Sequence, residues 1–107
     1  MEKGTATGLE DMNYRSIRMG DIVEMLGTRY EVVYERGAFG LVREDGEMLD
    51  WDQLDNAVFE VLNDDRTYFC RNDHFVSLWE LSWNFGDEPD WMPCLMRVEM
   101  WKERSND

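Results

Sequence analysis

Short apolar segments alternate with turn signals over the first part of the chain. The segments are DIVEML, RYEVVYE, FGLVRE, MLDW and AVFEVL, and the turn signals between the first four are Gly27-Thr28, Arg36-Gly37 and Asp45-Gly46. Asp-Gly is among the stronger two-residue hairpin signals. DWDQLDN, between the last two segments, is compatible with a single helical turn. The pattern therefore predicts five short strands within residues 14–62.

The C-terminal half shows the alternation of strands with one buried face. In FVSLWELSWNF, residues 75–85, the odd positions are bulky and apolar apart from Ser77, and CLMRVEMW, residues 94–101, alternates as well. The connector GDEPDWMP contains two prolines, which no regular element tolerates. We therefore predict a long β-hairpin over residues 66–101, with an acidic connecting loop.

The length and composition indicate one domain with a real core. The chain has 107 residues, of which 43% are hydrophobic. Residues 1–13 are small, polar and unpatterned, and they are predicted to form a flexible tail. Residues 14–107 are then a single, mainly β domain, with its core unit over 14–62 and the hairpin following it.

The charge is strongly and unevenly acidic. The net charge is −13, from 24 acidic and 11 basic residues, and residues 44–65 alone hold nine carboxylates without a Lys or Arg. This balance repels nucleic acids and anionic membranes, so direct binding to either is disfavoured. Two cysteines, no signal-peptide pattern and no apolar run near the roughly 20 residues of a bilayer span together predict a cytoplasmic protein.

One stretch resembles a known family. GDIVEMLGTRYEVVYERGAFGLVREDGEMLDWDQLDNAVFEVL, within residues 19–62, is similar to the core of the YopX-like phage and prophage proteins. The resemblance implies a small twisted antiparallel β-barrel of about five strands and a mobile-element origin, and it supplies no catalytic residues. It covers less than half of the chain, and the part from Arg66 onward has no recognised counterpart.

Carboxylate motifs do not complete a metal site. Asp50, Asp52 and Asp55 look like the start of a calcium loop, but the sixth and twelfth loop positions are Asp55 and Val61, where an EF-hand needs Gly and Glu. The Asp-Trp-Asp triplet matches an Asp-x-Asp motif, but no nucleotide-binding unit accompanies it. We therefore predict no metal and no cofactor.

The cysteines and the single histidine do not make a catalytic or zinc centre. Cys70, His74 and Cys94 leave a zinc ion one ligand short. For nucleophilic catalysis Cys70 would need a lowered pKa, which acidic neighbours such as Asp73 oppose. No nucleophile elbow or phosphate-binding loop occurs. Both thiols are predicted to lie in the core, with His74 capping a turn, and the protein is predicted not to be an enzyme.

The acid excess suggests a function in binding. We hypothesise a small phage-encoded inhibitor that occupies the basic groove of a host defence protein, such as a CRISPR effector or a restriction nuclease, as a nucleic-acid mimic. The partner-binding residues would be Asp50, Asp52, Asp55, Asp64, Asp65, Asp87, Glu88, Asp90 and Trp91.

Several alternatives stay open. The acidic patch could be only a solubilising face, and Trp91 could fold back onto the hairpin instead of anchoring a partner. Trp79 and Trp83 are expected in the core rather than on a binding platform. The protein could also be a small-molecule or nucleotide sponge, or a phage accessory protein. Exposed edge strands and eight Met residues permit a homodimer.

Overall fold

A computed structural model describes residues 2–63, 69–84 and 94–104. The elements within these ranges are β1 (Ala6–Glu10), β2 (Ser16–Arg18), β3 (Ile22–Met25), β4 (Thr28–Glu35), β5 (Ala38–Arg43), α1 (Trp51–Leu62), β6 (Val76–Ser77), α2 (Leu78–Asn84), β7 (Met96–Glu99) and α3 (Trp101–Arg104). The fold is mainly β. One sheet has five antiparallel strands in the order β6-β5-β4-β3-β7, and β1 and β2 form a separate two-stranded sheet.

The three central strands are the three that the sequence pattern locates best. β3 and β4 form one hairpin, and β4 and β5 form the next. Val32 of β4 lies opposite Leu41 of β5 on the buried face of the sheet. The β4–β5 turn has positive φ at Arg36 and Gly37, and the β3–β4 turn has it at the two residues before β4. Two successive residues with positive φ match the right-handed twist of the paired strands. The prediction of strands in these three segments is confirmed.

The fourth and fifth predicted strands are wrong. MLDW, apart from Trp51, lies in the loop before helix α1, and AVFEVL forms the second half of that helix. The helix buries Trp51, Leu54, Ala57 and Val58, which recur at helical spacing on one face. The Asp50 side chain caps its first turn, and the helix ends at a residue in the left-handed conformation. Asp45-Gly46 does form a turn, but the chain continues from it into this helix and not into a strand.

The side chain of Gln53 forms hydrogen bonds that connect α1 to the β3–β4 turn and to the start of β4. Its Nε2 donates to the carbonyl of Leu26 at 2.8 Å. Its Oε1 accepts from the hydroxyl of Thr28 at 2.9 Å and from that of Tyr30 at 3.3 Å. The helix is therefore fixed against the sheet by polar contacts as well as by its buried face.

The C-terminal prediction is also corrected. Residues 78–84 form helix α2 where a strand was expected, and β6 has only two residues. β6 and β7 lie at opposite edges of the five-stranded sheet. Within the described residues they therefore do not pair as the predicted hairpin over 66–101, and the sheet does not close into a barrel.

Part of the predicted N-terminal tail, residues 1–13, forms strand β1 of the fold. β1 pairs with β2 within residues 6–18. The carboxylate of Asp11 accepts from the backbone N–H of Arg97, and the carboxylate of Asp21 accepts from the backbone N–H of Trp101, both at 2.7 Å. Both carboxylates are fully buried. These bonds join the N-terminal hairpin to β7 and the residue before β3 to α3.

Candidate functional site

The most exposed acidic part of the described chain is the run of residues 44–52, called here the acidic segment. Its five carboxylates lie on exposed residues: Glu44, Asp45, Glu47, Asp50 and Asp52. Leu49 and Trp51, which alternate with the last two, are buried. The segment therefore points its acids outward while two apolar side chains hold it to the core.

Both anchors of the acidic segment contact residues 69–73. The backbone N–H of Leu49 donates to the carbonyl of Asp73 at 2.7 Å. The Trp51 ring packs on Phe69 with 5.7 Å between centroids, and the guanidinium of Arg71 lies 5.2 Å from the Trp51 centroid. A segment held at two buried points presents its charges in a fixed arrangement.

Two of the five carboxylates are paired with arginines from the sheet. Asp45 contacts Arg43 at 2.7 Å, and this side-chain hydrogen bond lowers the pKa of Asp45. Glu44 lies 3.4 Å from the guanidinium of Arg29, which also contacts Glu99 at 2.7 Å. Exposed pairs of this kind contribute little to stability, but they reduce the local negative charge.

The other three carboxylates, on Glu47, Asp50 and Asp52, have no ion pair within the described part of the chain. Asp50 accepts a hydrogen bond from the backbone N–H of Gln53 at 3.1 Å. Asp52 lies in the first turn of α1, where the partial positive charge of the helix N-terminus favours an anion. The acidic segment thus keeps three carboxylates without an ion pair in the described part of the chain.

Asp55 does not face outward with Asp50 and Asp52. It is half-buried and contacts the guanidinium of Arg71 at 2.8 Å. Since Arg71 also lies on the Trp51 ring, this pair belongs to the contact between α1 and the chain after it. The remaining predicted partner-binding residues lie outside the described residues: Asp64, Asp65, Asp87, Glu88, Asp90 and Trp91.

Two exposed tryptophans correct the predicted core. Trp79 is 59% exposed and Trp83 is 73% exposed, with 6.5 Å between their ring centroids on α2. The buried side of this helix is formed instead by Leu78, Leu81 and Ser82. A helical reading of residues 78–84 would have separated the leucines from the tryptophans, whereas strict alternation places Trp79, Leu81 and Trp83 together.

A shallow groove lies on the face of β4 and β5 opposite the buried Val32 and Leu41. Its volume is about 320 Å³, and its lining residues are Val33, Glu35, Val42, Arg43, Gly46, Glu47 and His74. The Nε2 atom of His74 lies 2.9 Å from a carboxylate oxygen of Glu35. The sequence did not indicate this groove, because it is formed by residues that are far apart in the chain.

The thiols are not activated for nucleophilic chemistry. Cys70 is exposed, contrary to the prediction, and its hydrogen bond to Glu80 and the charge of that carboxylate raise its pKa. Cys94 packs against the core, and burial raises its pKa to about 12. Both thiols are therefore protonated at neutral pH. Among the described residues, no group of three or more His, Cys, Asp or Glu side chains is placed to hold a metal ion.

Comparisons with protein families, curated proteins and solved structures identified no relative of this chain. No family model matches the chain, and no curated protein and no solved structure shows significant similarity to it. The resemblance to the YopX-like proteins therefore stays a prediction. Within the described ranges, no helix combines the length and apolar character required to cross a bilayer.

Proposed function

We propose that the protein acts without catalysis, as a phage-encoded inhibitor that binds the basic groove of a nucleic-acid-handling defence protein in the host cytoplasm. CRISPR effectors and restriction nucleases are the partner class that this chemistry fits, because their grooves are built to receive polyphosphate chains. The observation that carries the proposal is the acidic segment. It presents five exposed carboxylates in nine consecutive residues, three of them without an ion pair in the described chain.

The fixed arrangement of the acidic segment supports a binding role. The contacts of Leu49 and Trp51 order the segment before any partner arrives. Ordering in advance reduces the conformational entropy lost on binding. A concentrated negative surface also speeds association with a basic partner, and salt weakens the effect.

Nucleotide capture, the second hypothesis, is not favoured by the depression that two of the arginines line. Arg29 and Arg43 line a depression of about 270 Å³ together with Glu44 and Asp45. Each arginine is paired with one of these acids. An anionic ligand would therefore face carboxylates as well as arginines, and we expect nucleotides to leave the melting temperature unchanged.

The proposal is tested by cleavage assays with purified CRISPR effectors and restriction nucleases. The informative variant is Glu47→Lys with Asp52→Lys, because neither side chain has an ion pair or a capping hydrogen bond in the described chain. We expect wild-type protein to inhibit at least one enzyme of the panel, and the variant to lose about tenfold in potency or more. Raising the salt concentration should weaken the wild type more than the variant.

The matched control carries the same change of charge elsewhere. Glu2→Lys with Glu10→Lys alters the N-terminal hairpin region, far along the chain from the acidic segment. This control should inhibit like the wild type. Full potency in a folded Glu47→Lys, Asp52→Lys protein would reject the charge mechanism, as would equal losses in the variant and the control.

A further inference from the structure

The groove on β4 and β5 combines an apolar floor with acidic walls. Val33 and Val42 form the floor, and Glu35 and Glu47 lie along it, together with Arg43 and His74. Its volume of about 320 Å³ is near the lower end of the range of roughly 300–1,000 Å³ for ligand pockets. The groove therefore suits a small group and not a folded element.

The ring of Phe75 packs on Gly40, which lies across from the groove residue Val33. A Cβ atom on Gly40 would collide with Cζ of Phe75 and would lie 2.5 Å from the carbonyl oxygen of Val76, so the ring lies directly on the glycine backbone. Gly40 lies opposite Val33, on the same face of the sheet as the groove floor. The Phe75 ring therefore covers the sheet next to Val33.

The charges on the walls leave a net negative site. Arg43 is held by Asp45 at 2.7 Å and donates to the carbonyl of Met48 at 3.3 Å, and neither partner lines the groove, although the charge of Arg43 also acts on Glu47. Glu35 is held by Nε2 of His74, which fixes the direction of the carboxylate while leaving 30% of its side chain exposed. Glu47 has no ion pair in the described chain.

These features select the chemistry of the occupant. A carboxylate or phosphate ligand would be repelled by Glu35 and Glu47, and a fully apolar ligand would strip water from them without compensation. A divalent metal lacks a third ligand among the described residues. An alkylammonium group fits both the apolar floor and the acidic walls, because its methylene groups cover the valines and its cationic end contacts the carboxylates.

We propose that the groove receives a lysine side chain of the partner protein. The stem lies on Val33 and Val42, and the ammonium group is bound by Glu35 and Glu47. His74 acts as a positioning residue for Glu35. This inference rests on the proposed function for the nature of the partner, a basic protein, and it supplies a specific contact beside the acidic segment, to which Glu47 also belongs.

The binding test uses a lysine analogue and follows the valine methyl groups by NMR. Nα-acetyl-lysine methylamide should shift the methyl signals of Val33 and Val42 in a saturable way. The norleucine analogue, which has the same stem without the ammonium group, should not. Glu35→Gln with Glu47→Gln should weaken binding roughly three- to tenfold, the effect of removing two exposed charge pairs. The glutamine at position 35 still accepts from His74, which keeps the local structure.

A matched variant separates the groove from the overall charge. Glu2→Gln with Glu60→Gln removes two exposed carboxylates outside the groove and should leave lysine binding unchanged. The inference is overturned by an absence of saturable shifts, by equal shifts with the norleucine analogue, or by unchanged affinity in Glu35→Gln, Glu47→Gln.

The nuclease assay distinguishes a failure of the lysine-binding groove from a failure of the proposed inhibitor function. Saturable lysine binding without inhibition of any enzyme would support the groove and reject the inhibitor role. Inhibition lost in Glu47→Lys, Asp52→Lys but retained in full by Glu35→Gln would support the acidic segment and overturn the groove as a partner contact.

Discussion

The carboxylate of Asp11 accepts a hydrogen bond from the backbone N–H of Arg97 at 2.7 Å, across 86 residues of sequence. The same side chain accepts from the backbone N–H groups of Asn13 and Arg15, and it forms an ion pair with the Arg15 guanidinium at 3.1 Å. Arg97 lies in β7, an edge strand, where unpaired backbone groups invite association with other chains. Asp11 therefore connects the N-terminal hairpin to the sheet and satisfies part of this edge.

Replacing Asp11 by Asn should destabilise the fold strongly. The amide can accept with one atom only, and its NH₂ group would face N–H donors in a fully buried position. We expect a loss of about 2–4 kcal/mol in the free energy of unfolding, measured by urea denaturation. Asp45→Asn is the control, because Asp45 is exposed and has one ion pair, and it should change stability little. Similar losses in the two variants would contradict a special role for Asp11.

Acidification should act on the two buried aspartates in opposite directions. Burial raises the pKa of Asp21 above its ordinary 3.8, although two backbone N–H groups bind it. Burial also opposes ionisation of Asp11, but hydrogen bonds from three backbone N–H groups and the charge of Arg15 outweigh it and lower the pKa. Folded protein thus binds a proton more readily at Asp21, and less readily at Asp11, than the unfolded chain.

The directions of the two pKa shifts can be measured from the difference in stability between the wild type and each Asn variant. As the pH falls from neutrality through the raised pKa of Asp21, protonation stabilises the wild type, so its advantage over Asp21→Asn should grow. Below about pH 3.8 the contribution of Asp11 is lost, so the advantage over Asp11→Asn should shrink. Urea denaturation at a series of pH values measures both differences. Differences that do not change with pH would show that neither pKa is shifted by folding.

Gly4 and Gly8 form a matched pair for the contact with Trp101. Their φ angles are +89° and +85°, but a Cβ on Gly4 would lie 2.5 Å from the Trp101 ring, whereas one on Gly8 would meet nothing within 4 Å. Gly8→Ala should cost about 1–2 kcal/mol from backbone strain alone. Gly4→Ala should cost about 1–3 kcal/mol more, because the ring must move. Equal costs, measured by thermal or urea unfolding, would mean that Trp101 does not pack on Gly4.

Local patterns predicted the central sheet because its determinants are local. β3, β4 and β5 follow from β-branched pairs such as Val32 and Val33 and from turns that require positive φ, as at Gly37. Helix α1 carried equally local signals, since Asp50 precedes a helical spacing of Trp51, Leu54 and Val58. The β propensity of AVFEVL nevertheless favoured a strand in the prediction. The segment is helical in the structure because one face of α1 is buried in the core, and such burial outweighs local propensity.

The charge arrangement could be predicted only in part. Alternation of acids with Leu49 and Trp51 is visible in the sequence and accounts for the outward direction of Asp50 and Asp52. The pairs Asp55–Arg71 and Arg29–Glu99 join residues far apart in the chain, and no local pattern indicates them. For the same reason, the meeting of His74 with Glu35 depends on the tertiary fold alone.

Asp50 has two separable properties, a capping hydrogen bond and a charge. Its side chain accepts from the Gln53 N–H at the start of α1, an interaction that Asn reproduces and Ala does not. Asp50→Ala should therefore lower the free energy of unfolding by about 1 kcal/mol, and Asp50→Asn should be close to wild type in urea denaturation.

In the nuclease assay the two Asp50 variants should behave alike, because both remove the charge from the acidic segment. A loss of inhibition in Asp50→Ala alone would assign the effect to the helix start instead of the charge. Should Asp50→Asn prove as unstable as Asp50→Ala, the carboxylate would stabilise α1 through its charge at the positive end of the helix rather than by accepting the bond. Charge removal at Asp50 would then also disturb the fold. The same argument applies to Asp52 in the first turn of α1, which leaves Glu47 as the position at which charge alone is changed.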